Sequence, residues 1–116
     1  MADCIFCKIN NRELPADFIC ENAKLAAFKD VRPKAPIHIL IVPKKHIHSI
    51  IEVGPEDGGL LTELILAAQK IARDLKLDKS GYKLVFNVGR GGGQLVDHLH
   101  LHLLGGWGEE GLKELP

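Results

Sequence analysis

Residues 98–104 read HLHLHLL, a strict alternation of histidine and leucine. A helix turns about 100° per residue and would scatter the two side-chain types around its circumference. In a β-strand, positions i, i+2 and i+4 share a face, so the spacing predicts a strand that lines His98, His100 and His102 along one side and packs Leu99, Leu101 and Leu103 behind them. The chain must therefore contain a sheet with a buried apolar face and an imidazole face that needs a purpose. Side chains two apart on a strand are separated by roughly 6.6 Å along it, too far for one small ion to be held by all three. The histidines are expected to divide their work. Just upstream, GRGGGQ at residues 89–94 carries three consecutive glycines, a loop able to take positive φ and bring backbone N–H groups close to an anion such as phosphate.

The remaining pattern surrounds that strand with an α+β domain. DFICENAKLAAFKD, residues 17–30, reads as two short strands about a turn at Glu21 to Ala23, with Asp30 closing the second. The loop VRPKAP follows, then IHILIVP, an apolar β-branched run of about 6 residues that contains His38 and stops at Pro43. GGLLTELILAAQKIARDLKL, residues 58–77, places Leu60, Leu64, Ala67, Ala68, Ile71, Ala72 and Leu75 at helical spacing and predicts the one long helix. YKLVFNVG, residues 82–89, reads as another strand, RGGGQ as a tight loop, and the histidine run as the last strand. One long helix on a mostly antiparallel sheet is the expected architecture. At 116 residues, with no internal repeat or linker, the chain reads as one domain that a homodimer would help to bury.

Composition removes several function classes. Fifteen basic against fifteen acidic residues leave no field to draw a polyanion, so nucleic acid is not an expected partner. No apolar window reaches the ~18 residues of a membrane span, and the first residues, MADCIFCKINNREL, hold no signal-like apolar run, so the reading is a soluble, cytoplasmic chain. Of three cysteines, Cys4-x-x-Cys7 suggests metal or redox chemistry, and Cys20 reads as a small buried residue. The redox reading is the weaker, since no βαβ pattern follows Cys7. A pair of reduced, buried thiols is the plain alternative.

These features together resemble a known family. HLHLHLL matches the His-x-His-x-His-x-x signature of the histidine triad (HIT) superfamily, and IFCKI, AFKDVRPKAPIHILIVPKKHI and NVGRGGGQLVDHLHLHLLGG resemble its Hint branch along nearly the whole chain. The resemblance implies a single HIT domain over residues 1–116, dimerising through helix and sheet. The implied activity is hydrolysis of nucleoside 5′-monophosphate conjugates, purine nucleoside phosphoramidates above all, through a nucleotidyl-histidine intermediate. His102 at the third triad place, where the transferase branch has Gln, favours hydrolysis. His100 is then the nucleophile, His102 a donor to phosphate oxygens, His38 an orienting fourth histidine, and His98 the remaining triad member. Asp30 and Val31 match the ribose and base contacts, Asn87 a phosphate or leaving-group contact, and Gly93, Gln94 and Leu95 the phosphate-side loop. At Leu95 the relatives usually carry Ser, which puts proton delivery to the departing amine in question.

Cys4 and Cys7 supply two soft ligands, and a closed zinc site needs two more. Hint-like bacterial proteins with the same cysteines add the histidine of a PKKH stretch and the first triad histidine, which here are His46 and His98. A structural Zn²⁺ is the implied cofactor, with His48 left at the surface. The expected partners are AMP or GMP conjugates and a second copy of the chain. A dinucleoside polyphosphate hydrolase of the same superfamily, a nucleotide-binding scaffold with vestigial catalysis, and a metal-binding module without a substrate stay open as alternatives.

Overall fold

Alternation along the strands sends neighbouring residues to opposite faces, and in this chain both faces are covered. The computed structural model describes residues 3–108 and 111; the parts of the expected domain at 1–2, 109–110 and 112–116 lie outside the described residues. In chain order the elements are α1 (Ile5–Asn10), β1 (Phe18–Glu21), β2 (Leu25–Lys29), β3 (Ile37–Pro43), α2 (Gly58–Asp74), β4 (Tyr82–Val85) and β5 (Leu101–Gly105). The strands form one antiparallel sheet in the order β1-β2-β3-β5-β4. This is the α+β architecture expected from the sequence, a mostly antiparallel sheet under one long helix.

On one face, α2 lays Leu64, Ala68, Ile71 and Ala72 over Ala27, Ile39, Ile41, Leu99, Leu101 and Leu103. The other residues of β2 and β3, Ala26, Phe28, Leu40 and Val42, join Phe6 and Ile9 of α1 on the opposite face. Truncating a core position such as Leu64 to Ala would cost about 2–5 kcal/mol. α2 starts after Pro55, where Asp57 accepts the Gly54 N–H at 3.0 Å and the Lys45 ammonium at 2.8 Å. It ends where Lys76 turns to φ 61° and the Leu77 N–H reaches back to the Ala72 carbonyl at 2.8 Å.

Four expectations change. The ladder of β5 opens at Leu101, so His98 and His100 precede the strand; the alternation nevertheless persists, because the Leu99 N–H is held by the Ile47 carbonyl at 2.7 Å. β4 stops at Val85 rather than running to residue 89, where the glycine loop takes over. Cys20 is exposed, since it lies on edge strand β1 where α2 does not cover it. Leu75, expected in the helix stripe, is 38% exposed at the point where α2 ends. α1 leaves no mark in the sequence, because its 6 residues are too few for a periodic pattern.

Candidate active site and metal centre

The histidine row runs beneath α1 rather than facing solvent: His98 is fully buried and His100 is 8% exposed. Each imidazole has one nitrogen engaged by a neighbour, and the kind of neighbour fixes what the other nitrogen can do. His98 donates its Nε2–H to the Pro43 carbonyl at 2.8 Å. Its Nδ1 lone pair therefore faces Cys4 Sγ at 3.2 Å and Cys7 Sγ at 3.5 Å. His46, two residues beyond Lys44 at the exit of β3, brings its Nδ1 to 3.3 Å from Cys7 Sγ. These four ligand atoms all lie within 4.8 Å of one another.

The donor set suits Zn²⁺. A tetrahedral ion with bonds of about 2.0–2.3 Å spaces its ligands about 3.3–3.8 Å apart, close to the distances above. Burial, reinforced by the neighbouring Cys4, pushes the Cys7 thiol up to about 11; a divalent cation reverses that preference and draws the thiolate form. The ring of His98 is held well below its ordinary range, at about 4, chiefly by burial, so it stays neutral and able to ligate. A cavity of about 400 Å³ bordered by Cys4, His46, His48 and Leu95 gives the cluster access to solvent. His48 itself stands outside the cluster, as expected, paired with Asp97 at 3.2 Å on the surface.

His100 donates Nδ1–H to the His98 carbonyl at 2.7 Å and keeps a lone pair on Nε2. Its ring is flanked by Phe6 at 5.0 Å and His102 at 4.8 Å between centroids. Burial lowers its proton affinity, so it is neutral near pH 7. His102, opposite Leu40 and Val85 in the ladder, sits at about 4 through burial and the nearby His100 and His38.

His38 is wired the other way from His98. Its Nδ1 accepts the Lys34 N–H at 3.1 Å, so the neutral ring carries its proton on Nε2, which lies 2.9 Å from His102 Nδ1 and 3.4 Å from Asp30 Oδ2. His102 accepts there and holds its own proton on Nε2, free to donate outward. Asp30, His38 and His102 thus also come within 4.8 Å, but a metal on His38 Nε2 would require a proton on Nδ1, facing the Lys34 N–H. This second cluster is built for protons. Asp30 accepts the Arg32 N–H at 2.8 Å through Oδ1, and beside it Val31 is 88% exposed, an apolar side chain held in the open.

The glycine loop differs from its expected role. Gly93, at φ 85°, and Gln94 donate their N–H groups to Arg90 and Gly89 carbonyls, each at 3.0 Å. The Gln94 side chain, 2% exposed, accepts the Gly89 N–H at 2.9 Å and donates to the His48 and Val96 carbonyls at 2.8 and 2.9 Å. Gly93 and Gln94 are thereby committed to shaping the loop, and the side chain of Gln94 is a staple rather than a contact surface. Asn87 donates to the Gly92 carbonyl at 2.8 Å, and Leu95 is 77% exposed. Phe6 and the backbone groups of Lys34 and Pro43 went unread in the sequence. Only the IFCKI stretch hinted at Phe6, and nothing local marks a backbone partner.

Comparison with known proteins places these features. A family model described as HIT domain matches residues 11–108. A HIT family hydrolase from Legionella pneumophila Philadelphia 1 is 51% identical with a TM-score of 0.89, covering 90% of this chain and 93% of that one. A histidine triad nucleotide-binding protein from Candida albicans is 38% identical, TM-score 0.79, covering 87% and 73%. A zinc-bound histidine triad family protein from Mycobacterium smegmatis is 30% identical, TM-score 0.80, covering 90% and 75%.

Proposed function

This chain belongs to the HIT domain family, and from that premise we propose that it hydrolyses nucleoside 5′-monophosphate conjugates as a purine nucleoside phosphoramidase of the Hint branch. The observation that carries the reading is His100: Nδ1 is pinned to the His98 carbonyl and Nε2 is left with its lone pair, next to His102 with an Nε2–H to give. A hydrolase and a nucleotide-binding protein among its structural relatives support the substrate class.

On this reading, His100 Nε2 attacks the α-phosphorus. The bond from phosphorus to the departing amine breaks, the amine takes the electron pair and picks up a proton from water, and a nucleotidyl-imidazolium remains. His102, oriented by His38, donates to a phosphate oxygen as negative charge grows there. Water then adds to phosphorus, losing a proton to solvent, and His100 leaves as the neutral ring. Asp30 binds the ribose hydroxyls, Val31 lies on the base, and Asn87, Gly93 and Leu95 border the phosphate and leaving group, with Gln94 behind them as the staple of the loop. Zinc on Cys4, Cys7, His46 and His98 supplies structural cross-linking and no bond change. A zinc-bound relative supports that assignment.

We further propose that the single domain works as a cytoplasmic homodimer. The edge of β4, unpaired among the described residues, the half-exposed Ile65 of α2 and the partly exposed Leu84 of β4 offer the surface. Among the described residues no helix is long and apolar enough to cross a membrane.

The test is hydrolysis of adenosine 5′-phosphoramidate with acid trapping of an AMP adduct. Turnover with an adduct on His100 supports the reading. AMP binding without turnover turns the assignment to a nucleotide-binding scaffold, which the exposed Leu95 at the usual Ser position would favour, and preference for a dinucleoside polyphosphate turns it to that branch of the superfamily.

A further inference from the structure

The metal cluster and the candidate nucleophile share one residue and one wall. His98 turns its ring to Cys4 and Cys7, at 3.2 and 3.5 Å, and the carbonyl of the same residue holds His100 Nδ1–H at 2.7 Å. Phe6, between the two cysteines in sequence, lies edge-on to His98 at 5.9 Å and to His100 at 5.0 Å, with its ring also against Phe28 at 5.7 Å. A shift of α1 therefore moves both the ring of the metal-facing histidine and the wall against His100. α1 has 6 residues, too few to hold its shape unaided, so its contacts at Cys4, Cys7, Phe6 and Ile9, with Asn10 donating to the Pro43 carbonyl at 3.4 Å, decide where it sits. The family match begins at residue 11, which leaves α1 and both cysteines outside it.

We propose that Phe6 is a positioning residue for His100, and that zinc held by Cys4, Cys7, His46 and His98 strengthens this positioning by joining α1 to His98 as one rigid unit. The proposal rests on the reading of His100 as the nucleophile. With zinc bound, the His98 carbonyl is fixed as acceptor and Phe6 is pressed against the His100 ring, which His102 limits from the other side at 4.8 Å. Without zinc, α1 is linked to His98 only by the sulfur–imidazole contacts and the edge of Phe6, and the ring gains freedom. Reciprocity follows: if zinc favours the geometry that accepts a nucleotide, a nucleotide must raise zinc affinity by the same factor.

AMP titrated calorimetrically into zinc-loaded and zinc-stripped protein gives one arm of that cycle, and competition for zinc by a chromophoric chelator, with and without saturating AMP, gives the other. Both are expected to shift by one common factor of about fivefold or more. Long-range ¹⁵N spectra of the His100 ring are expected to show a fixed Nδ1–H tautomer with zinc and averaged signals without it. Phe6→Ala should average them even at full zinc content, and Phe6→Leu, which keeps most of the bulk, should restore most of the fixed signal.

Mutually indifferent AMP and zinc affinities with an unchanged His100 spectrum would overturn the proposal, as would a protein that takes up no zinc. If the stripped protein or Phe6→Ala unfolds, the chelator competition on loaded protein and the Phe6→Leu spectrum decide. Failure of AMP to bind in any state defeats the functional reading instead, and the spectra with and without zinc then judge the coupling alone.

Discussion

Two clusters sit at opposite ends of the same histidine row, and beyond their sulfur and carboxylate partners they differ in the contact behind the central imidazole. At the Cys4, Cys7, His46 and His98 end, a backbone carbonyl takes the far N–H of His98 and turns a lone pair toward two sulfurs. At the Asp30, His38 and His102 end, a backbone N–H occupies the far nitrogen of His38 and turns a proton toward the next ring. An acceptor at the back of an imidazole makes it a ligand or a nucleophile, and a donor makes it a source of protons. Residue type alone would class both clusters as metal sites. Their chemistry is separated by the sulfur donors of the one and by which backbone group lies behind His98 and His38, with His100, backed by a carbonyl, standing between them.

The sharpest test of this division is His100→Ala, which should lower phosphoramidate turnover by about 10⁴-fold or more while leaving one zinc bound; loss of the metal as well would mean the two ends are one site. Next, zinc at about a thousand times its Kd should stabilise the wild type by about 4 kcal/mol in urea unfolding, and Cys7→Ser should lose that gain. A comparable zinc gain retained in Cys7→Ser would place the metal elsewhere. At the proton end, His38→Leu should cost about 10–100-fold in kcat/KM, with zinc stoichiometry unchanged and His38→Asn, which keeps an N–H donor, closer to wild type; equal losses in the two variants would remove the donor role.

Acid should expose the same contrast in stability. His102 sits at about 4 in the folded chain against about 6.5 in an unfolded one, so the unfolded chain binds the proton first as pH falls. The share of stability that His102 contributes is complete above about pH 6.5 and declines toward pH 4, by about 2 kcal/mol after allowance for partial exposure, on top of a loss in the same window from His98, which also sits at about 4. Urea midpoints that decline equally in His102→Gln would assign the effect to other groups. The smallest expected effect is at Leu95: Leu95→Ser should raise kcat/KM a few-fold for phosphoramidates of poor, high-pKa amines and little for good leaving groups, and an unchanged profile would free Leu95 of any part in leaving-group departure.

How far the sequence could be read depended on whether a signal was local. The period-two run from His98 to Leu104 and the 3.6-period stripe from Leu60 to Ala72 were legible because each element's own spacing sets its buried face. Residues far apart in the chain, Cys4, Cys7, His46 and His98, could be grouped only through zinc spacing and family resemblance, and the structure brings all four together. Cys20 misled because cysteine is a small residue that is usually buried, whereas its edge position is a property of the whole sheet. The same holds for Gln94: its three backbone partners are assembled by the loop closing on itself and on residue 48.

By itself, then, the sequence determined the long helix and the existence of the strands, the face the histidines share and the donor atoms available, since those follow from period and residue type. Tertiary structure alone decided which nitrogen of each ring carries the proton. That choice rests on the Pro43 and His98 carbonyls and the Lys34 amide arriving at hydrogen-bond distance, and backbone groups are the same in every residue until the fold places them.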